Sequence, residues 1–120
     1  MNYLMIGSIS GCIVVIIGAF GAHAFNELLD DYGKSIYNKA VLYHMFHTIA
    51  ILILGLINKI QPEIPLSISG WSFLFGIILF SGSLYIIAIT SIKSLGIITP
   101  IGGLLFIIGW IFLFIKVYIM

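Results

Sequence analysis

Three histidines and a handful of hydroxyls are the only side chains in this sequence with obvious chemical capacity. His44 and His47 are three residues apart in an apolar stretch, with Tyr43 beside them. On a helix such residues share a face, separated by about 60° around the axis. His23 lies near the end of the preceding apolar stretch. Imidazole ligates zinc, copper, iron and haem, carries protons near neutral pH, and also serves as a plain hydrogen-bonding group. All three uses are open for His23, His44 and His47, which are the weak candidates for a metal. The hydroxyls of Ser81, Tyr85 and Thr99 complete the inventory. A serine nucleophile needs a base and an oxyanion hole, and nothing in the sequence brings a histidine to Ser81. The expectation is therefore a protein that is not an enzyme, has no catalytic residue and needs no cofactor.

The elements that must carry these residues are apolar. Of 120 residues 62% are hydrophobic and 8% charged, against about a quarter charged in soluble chains. Lipid is the solvent that suits this composition. Four apolar stretches, about residues 3–25, 40–57, 68–92 and 96–115, each approach the roughly 20 residues that cross a ~30 Å hydrocarbon layer. Backbone groups in lipid must bond within their own segment, so each stretch is a helix. The fold expected is an all-α, integral membrane, four-helix transmembrane bundle, one domain over residues 1–120. Both termini then lie on one side of a multi-pass protein of the cell membrane. The net charge is +1 and all five basic residues are lysines, which excludes a nucleic-acid footprint. The bilayer is the expected partner.

Calling the N-terminal side A and the other side B, four crossings put Tyr3, Trp71, Trp110 and Tyr118 near side A. The same count puts Tyr32, Tyr37 and Tyr43 near side B, where aromatic residues favour the interface. Leu28, Leu29, Tyr32 and Ile36 recur at helical spacing and suggest a short helix lying in the interface. Thr99 reads as the N-cap of the last helix, with Pro100 at its first position. His23, His44 and His47, with Tyr43 and Tyr85, are expected to line one polar pocket in the side B leaflet, with Ser81 and Thr99 as partners for the ring nitrogens.

Small residues form stripes: Gly7, Gly11, Gly18 and Gly21 on the first helix, Gly102 and Gly103 on the fourth. In lipid such faces let backbones approach closely, either inside one bundle or across a homo-oligomer. Cys12 reads as a further small packing residue.

Four segments resemble a known family. They are Gly18-Ala19-Phe20-Gly21-Ala22-His23-Ala24, Ala40-Val41-Leu42-Tyr43-His44-Met45-Phe46-His47, Phe80-Ser81-Gly82-Ser83-Leu84-Tyr85 and Ile98-Thr99-Pro100-Ile101-Gly102-Gly103. In this order, and over nearly the whole chain, they resemble the YwdK/YgdD family of small membrane proteins. Tyr37 stands where that pattern has Trp, and Thr48 where it has Ala. The resemblance implies a bacterial four-span membrane protein with no established reaction. Two functions are compatible with it. One is support of membrane organisation or stability. The other is binding or transport of a small ligand, metal or haem through the histidine and tyrosine cluster.

Overall fold

The protein was analysed as a computed structural model describing residues 1–120. Four helices are long and apolar enough to cross a membrane: α1 (Tyr3–Ala24), α2 (Asp31–Ile60), α3 (Ser67–Thr90) and α4 (Lys93–Tyr118). There is no strand. The chain forms the expected all-α bundle, 48 Å in its longest dimension. α1 packs on α2, α2 on α3, and α3 on α4. The second and third helices form the centre, with 44% of the residues of their apolar windows buried against 17% in α1 and α4.

Local chemistry sets the ends. Asn2 accepts from the Met5 amide at 3.1 Å and starts α1. Asp30 accepts from the Gly33 amide at 2.6 Å and starts α2, placing a carboxylate where helix amides are unpaired. This cap overturns the separate interfacial helix. Tyr32 and Ile36 belong to the first turns of α2, which begins at Asp31 and not at Ala40. α3 ends where Ser91 takes a left-handed conformation, φ 60°. A 3-10 turn, Lys93–Ile97, then leads into the α-helical part of α4, Ile98–Tyr118. Thr99 is thus inside the helix, and no side chain caps it.

Two helices carry a π-turn, at Ile16–Gly21 in α1 and Ile77–Ser81 in α3. Each widens the helix by one residue, a distortion frequent at functional positions. In α1 the Ile17 carbonyl takes the Ala22 amide and also the Tyr37 hydroxyl, at 2.6 Å. A Cβ on Gly21 would lie 2.6 Å from that hydroxyl oxygen, so the glycine makes the room. In α3 the turn presents Ser81, whose hydroxyl donates to the Ala40 carbonyl of α2 at 2.7 Å.

The other small residues work at contacts inside the bundle. A Cβ on Gly7 would sit 2.6 Å from Leu52, and one on Gly18 3.1 Å from Val41. One on Gly102 would run into the backbone of Phe80. Gly11 and Gly103 are less tight, 3.7 Å from Thr48 and from the Phe80 ring. Cys12, expected to pack, is exposed on the outer side of α1.

Candidate functional site

The expected single pocket does not form, because α2 presents its two histidines to different neighbours. His23 takes no part: it is exposed in the last turn of α1. His44 faces α1 and the upper half of α3. His47, one turn further along, faces α4. No group of three His, Cys, Asp or Glu residues comes close enough to hold a metal ion, so the metal reading of His23, His44 and His47 fails on geometry.

His47 is locked. Its Nδ1 lies 2.8 Å from the Tyr43 carbonyl, which can only accept. Its Nε2 lies 2.9 Å from the Trp110 indole Nε1, which can only donate. The ring is therefore neutral, with its proton on Nδ1, and has no nitrogen free for a ligand. It stacks on Phe106 with centroids 3.5 Å apart and planes at 7°. Trp110, 36% exposed, is thus tied to α2 from the middle of α4 and is not the side A interface anchor expected from counting. Tyr43 departs from its expected place in the same way: its ring lies 4.6 Å from Phe80, centroid to centroid, on the side of the bundle facing α4. The rings of Tyr43, Phe46, His47, Phe106 and Trp110 wall a hollow of about 610 Å³.

His44 belongs to a chain of hydrogen bonds. Tyr85 Oη is 2.9 Å from His44 Nδ1. His44 Nε2 is 3.1 Å from Ser10 Oγ. Ser10 Oγ is 2.6 Å from Thr48 Oγ1. Ser10, His44 and Thr48 are buried, and Tyr85 is half-buried. Three helices contribute, and Tyr85, His44 and Ser10 form the floor of a groove of about 490 Å³ between α1 and α3, with Thr48 behind Ser10. The groove walls are aliphatic: Ile6, Ile9 and Ile13 from α1, with Leu74, Ile77 and Ile78 from α3. Gly82 lies in the wall, and a Cβ built on it meets nothing within 4 Å. Ionisable and polar side chains in a membrane interior are expensive and normally face protein or a cavity, and this chain does both.

Ser81 and Thr99 lie elsewhere. Ser81 ties α3 to α2, as above. Thr99 Oγ1 is 2.6 Å from Ser83 Oγ, and Ser83 donates to the Phe80 carbonyl at 3.0 Å. With that proton engaged, Thr99 is the donor, and the pair clasps α4 to α3 beside Gly102. Of the sequence-derived set, the structure therefore joins His44 with Tyr85, and His47 with the backbone of Tyr43. It leaves His23, Ser81 and Thr99 apart.

Ser10 was missed by the sequence reading, and Thr48 was noticed only as a departure from a pattern. A signal for Ser10 existed. The buried residues of the first part of α1 are Tyr3, Gly7, Ser10 and Val14, at spacings of three and four. A hydroxyl on the face that carries the glycines must meet the neighbouring helix.

Comparison with known proteins adds a family and no activity. A family model described as "Protein of unknown function (DUF423)" matches residues 17–103. A UPF0382 membrane protein of Staphylococcus aureus is 46% identical over 116 residues, covering 97% of this chain and 94% of its own. A UPF0382 membrane protein of Staphylococcus epidermidis is 45% identical over 114 residues, covering 95% of this chain and 93% of its own. The UPF0382 membrane protein YwdK of Bacillus subtilis is 39% identical over 110 residues, covering 91% and 89%. No solved structure matches.

Proposed function

The chain belongs to the DUF423 family, membrane proteins without a named activity, and we propose that it is a non-enzymatic binding protein that holds a lipid-soluble molecule in the groove between α1 and α3. The observation that carries this reading is the buried chain Tyr85–His44–Ser10–Thr48 at the floor of an aliphatic groove. Spanning a membrane requires no such chain. Interhelical hydrogen bonds in bundles average only about 0.6 kcal/mol, so stability alone is a weak reason to bury four polar side chains.

The Ser10–His44 contact resembles a nucleophile beside its base, which raises hydrolysis as a rival. Two features oppose it. Ser10 lies in the middle of the regular α-helix Tyr3–Val15, whose amides are engaged in intrahelical bonds, so no pair of free donors is available for an oxyanion. The group that orients His44 on its other nitrogen is a tyrosine hydroxyl, not a carboxylate that would stabilise an imidazolium. Support of membrane organisation would then be a consequence of what the groove holds.

The site of action is the cytoplasmic membrane. Relatives are bacterial membrane proteins, and bacterial outer-membrane spans are closed barrels, whereas this chain is helical.

Purifying the wild type and Gly82→Leu from the same membranes and weighing the lipids bound to each tests the reading. A Cβ at this position meets nothing within 4 Å, so a leucine side chain can enter the groove. One molecular class enriched over bulk lipid in the wild type and lost in the variant is the expected result. Identical bound lipid in both proteins would refute it.

A further inference from the structure

The direction of the hydrogen bonds in the groove floor decides what kind of ligand fits. Tyr85, Ser10 and Thr48 each have one hydroxyl proton, and neutral His44 has one ring proton. Those four protons serve three contacts, so one is left over, and its position depends on which way the chain runs.

In the first direction Tyr85 donates to Nδ1, Nε2–H donates to Ser10, and Ser10 donates to Thr48. The spare proton is then on Thr48, which is 3% exposed and has no polar contact besides Ser10. A buried donor without an acceptor is costly, and native structures avoid it. In the second direction Thr48 donates to Ser10, Ser10 donates to Nε2, and Nδ1–H donates to the Tyr85 oxygen. Every buried proton now has an acceptor. The spare proton is on the Tyr85 hydroxyl, which lines the groove. A third arrangement, in which Ser10 accepts from both Nε2–H and Thr48, leaves the spare proton on Ser10, which is 8% exposed and has no other polar contact; only the second direction places it on the half-buried Tyr85, so that is the one the surroundings select. His44 carries its proton on Nδ1, and the groove offers one free donor, the Tyr85 hydroxyl.

Depth narrows the ligand further. Ser10 lies about 5 Å from the midpoint of α1 towards side A, and His44 about 2 Å from the midpoint of α2 towards side B, at a rise of about 1.5 Å per residue. Their bond brackets the middle of the bundle. In a hydrocarbon layer of about 30 Å, the ester carbonyls of a phospholipid sit at its edges, roughly 15 Å away. Drawing one to the centre would drag a charged headgroup into hydrocarbon. A molecule free of the interface is needed.

Resting on the groove reading above, we propose that the ligand is a neutral, chain-bearing molecule whose carbonyl oxygen accepts the Tyr85 hydroxyl proton. A membrane quinone and an uncharged acyl glycerol both supply that chemistry. The aliphatic walls take the chain, and Tyr85, its ring held 5.4 Å from that of Tyr37, reads the oxygen.

The test uses the full chain in detergent micelles and three probes. These are a benzoquinone with a ten-carbon chain, dioctanoylglycerol, and an alkylbenzene of matching length without oxygen. Native mass spectrometry reads the bound fraction for wild type, Tyr85→Phe and Gly82→Leu. The carbonyl probes should bind the wild type, and Tyr85→Phe should weaken them by about two- to tenfold, the worth of one neutral hydrogen bond. The alkylbenzene should be indifferent to that change. Preference for the quinone supports a ring carbonyl as the source, and preference for dioctanoylglycerol an ester carbonyl. Equal binding of carbonyl probes to wild type and Tyr85→Phe, with Gly82→Leu still excluding them, overturns the acceptor assignment and leaves the groove reading standing. Binding of all probes unaffected by Gly82→Leu overturns both. Nitrogen NMR of labelled wild type reads the His44 tautomer without any variant: a proton on Nδ1 supports the proposal, and a proton on Nε2 overturns it.

Discussion

Replacing Trp110 by Phe removes the indole N–H that His47 Nε2 accepts at 2.9 Å. The ring nitrogen is then left in an aromatic wall with no other donor, because its partner atom Nδ1 is committed to the Tyr43 carbonyl. Interhelical hydrogen bonds in membrane bundles average about 0.6 kcal/mol and reach about 1.7, and an orphaned buried acceptor costs about 1–3 kcal/mol. Trp110→Phe should therefore destabilise the bundle by about 1–3 kcal/mol. His47→Phe keeps the stack on Phe106, centroids 3.5 Å apart, and orphans the indole instead, with a similar cost. In the double variant neither polar atom remains, so its loss should fall short of the sum of the two single losses by about 1–2 kcal/mol. Unfolding in mixed micelles at graded denaturing detergent measures all four corners of the cycle. Additivity within about 0.5 kcal/mol would refute the account of His47 as a histidine whose two nitrogens are both structurally engaged.

Gly102→Ala should destabilise the α3–α4 contact by about 1–3 kcal/mol, as overpacking does, because its Cβ meets the Phe80 backbone; Gly103→Ala, with its Cβ 3.7 Å from the Phe80 ring, should be nearly neutral in the same unfolding assay. Ser69 is 1% exposed and its hydroxyl has no partner, so Ser69→Ala should leave stability unchanged or raise it by about 1 kcal/mol, and a loss of that size would show that the hydroxyl is bonded after all. Cys12 faces outward on one of the two helices with the least buried windows; if copies assemble through α1, oxidation of intact membranes should yield a disulfide-linked dimer on a denaturing gel, and its absence would exclude the Cys12 face as the contact.

The spans were legible because one constraint dominates them. Backbone in hydrocarbon has to be helical, and a composition of 62% hydrophobic residues leaves no other solvent. The errors came where a competing local rule was at work. Asp30 and Gly33 start α2 early, so residues that looked amphipathic at Tyr32 and Ile36 became the foot of a spanning helix. That lengthening moves His44 and His47 from one leaflet to the middle. Counting residues to the nearest end placed Trp110 at an interface, where the residue type is at home, but a buried imidazole facing α4 gives an indole donor an equally good reason to be deeper.

Side-chain direction is what the sequence withheld about the site. Spacing of three residues on α2 puts His44 and His47 about 60° apart, which reads as convergence when the neighbours are unknown. α2 is central, however, with α1 and α3 on one flank and α3 and α4 on the other, and 60° is enough to divide two rings between flanks. The same central position explains why the two histidines differ in kind. His47 meets a carbonyl and an indole, partners with fixed roles, and so its proton is fixed. His44 meets hydroxyls on both nitrogens, partners that can reverse. Its proton is set by the buried end of the chain, Ser10 and Thr48, and Thr48 stands where the pattern the sequence resembles has Ala. An alanine there would leave the first direction's spare proton on Ser10, itself buried, so the penalty on that direction persists and Tyr85 still donates to the groove. Thr48→Ala should therefore leave the fold intact, keep the His44 proton on Nδ1 in the NMR measurement, and leave binding of the carbonyl probes unchanged. A shift of the His44 proton to Nε2 in Thr48→Ala would mean that the burial of Ser10 does not set the direction of the chain.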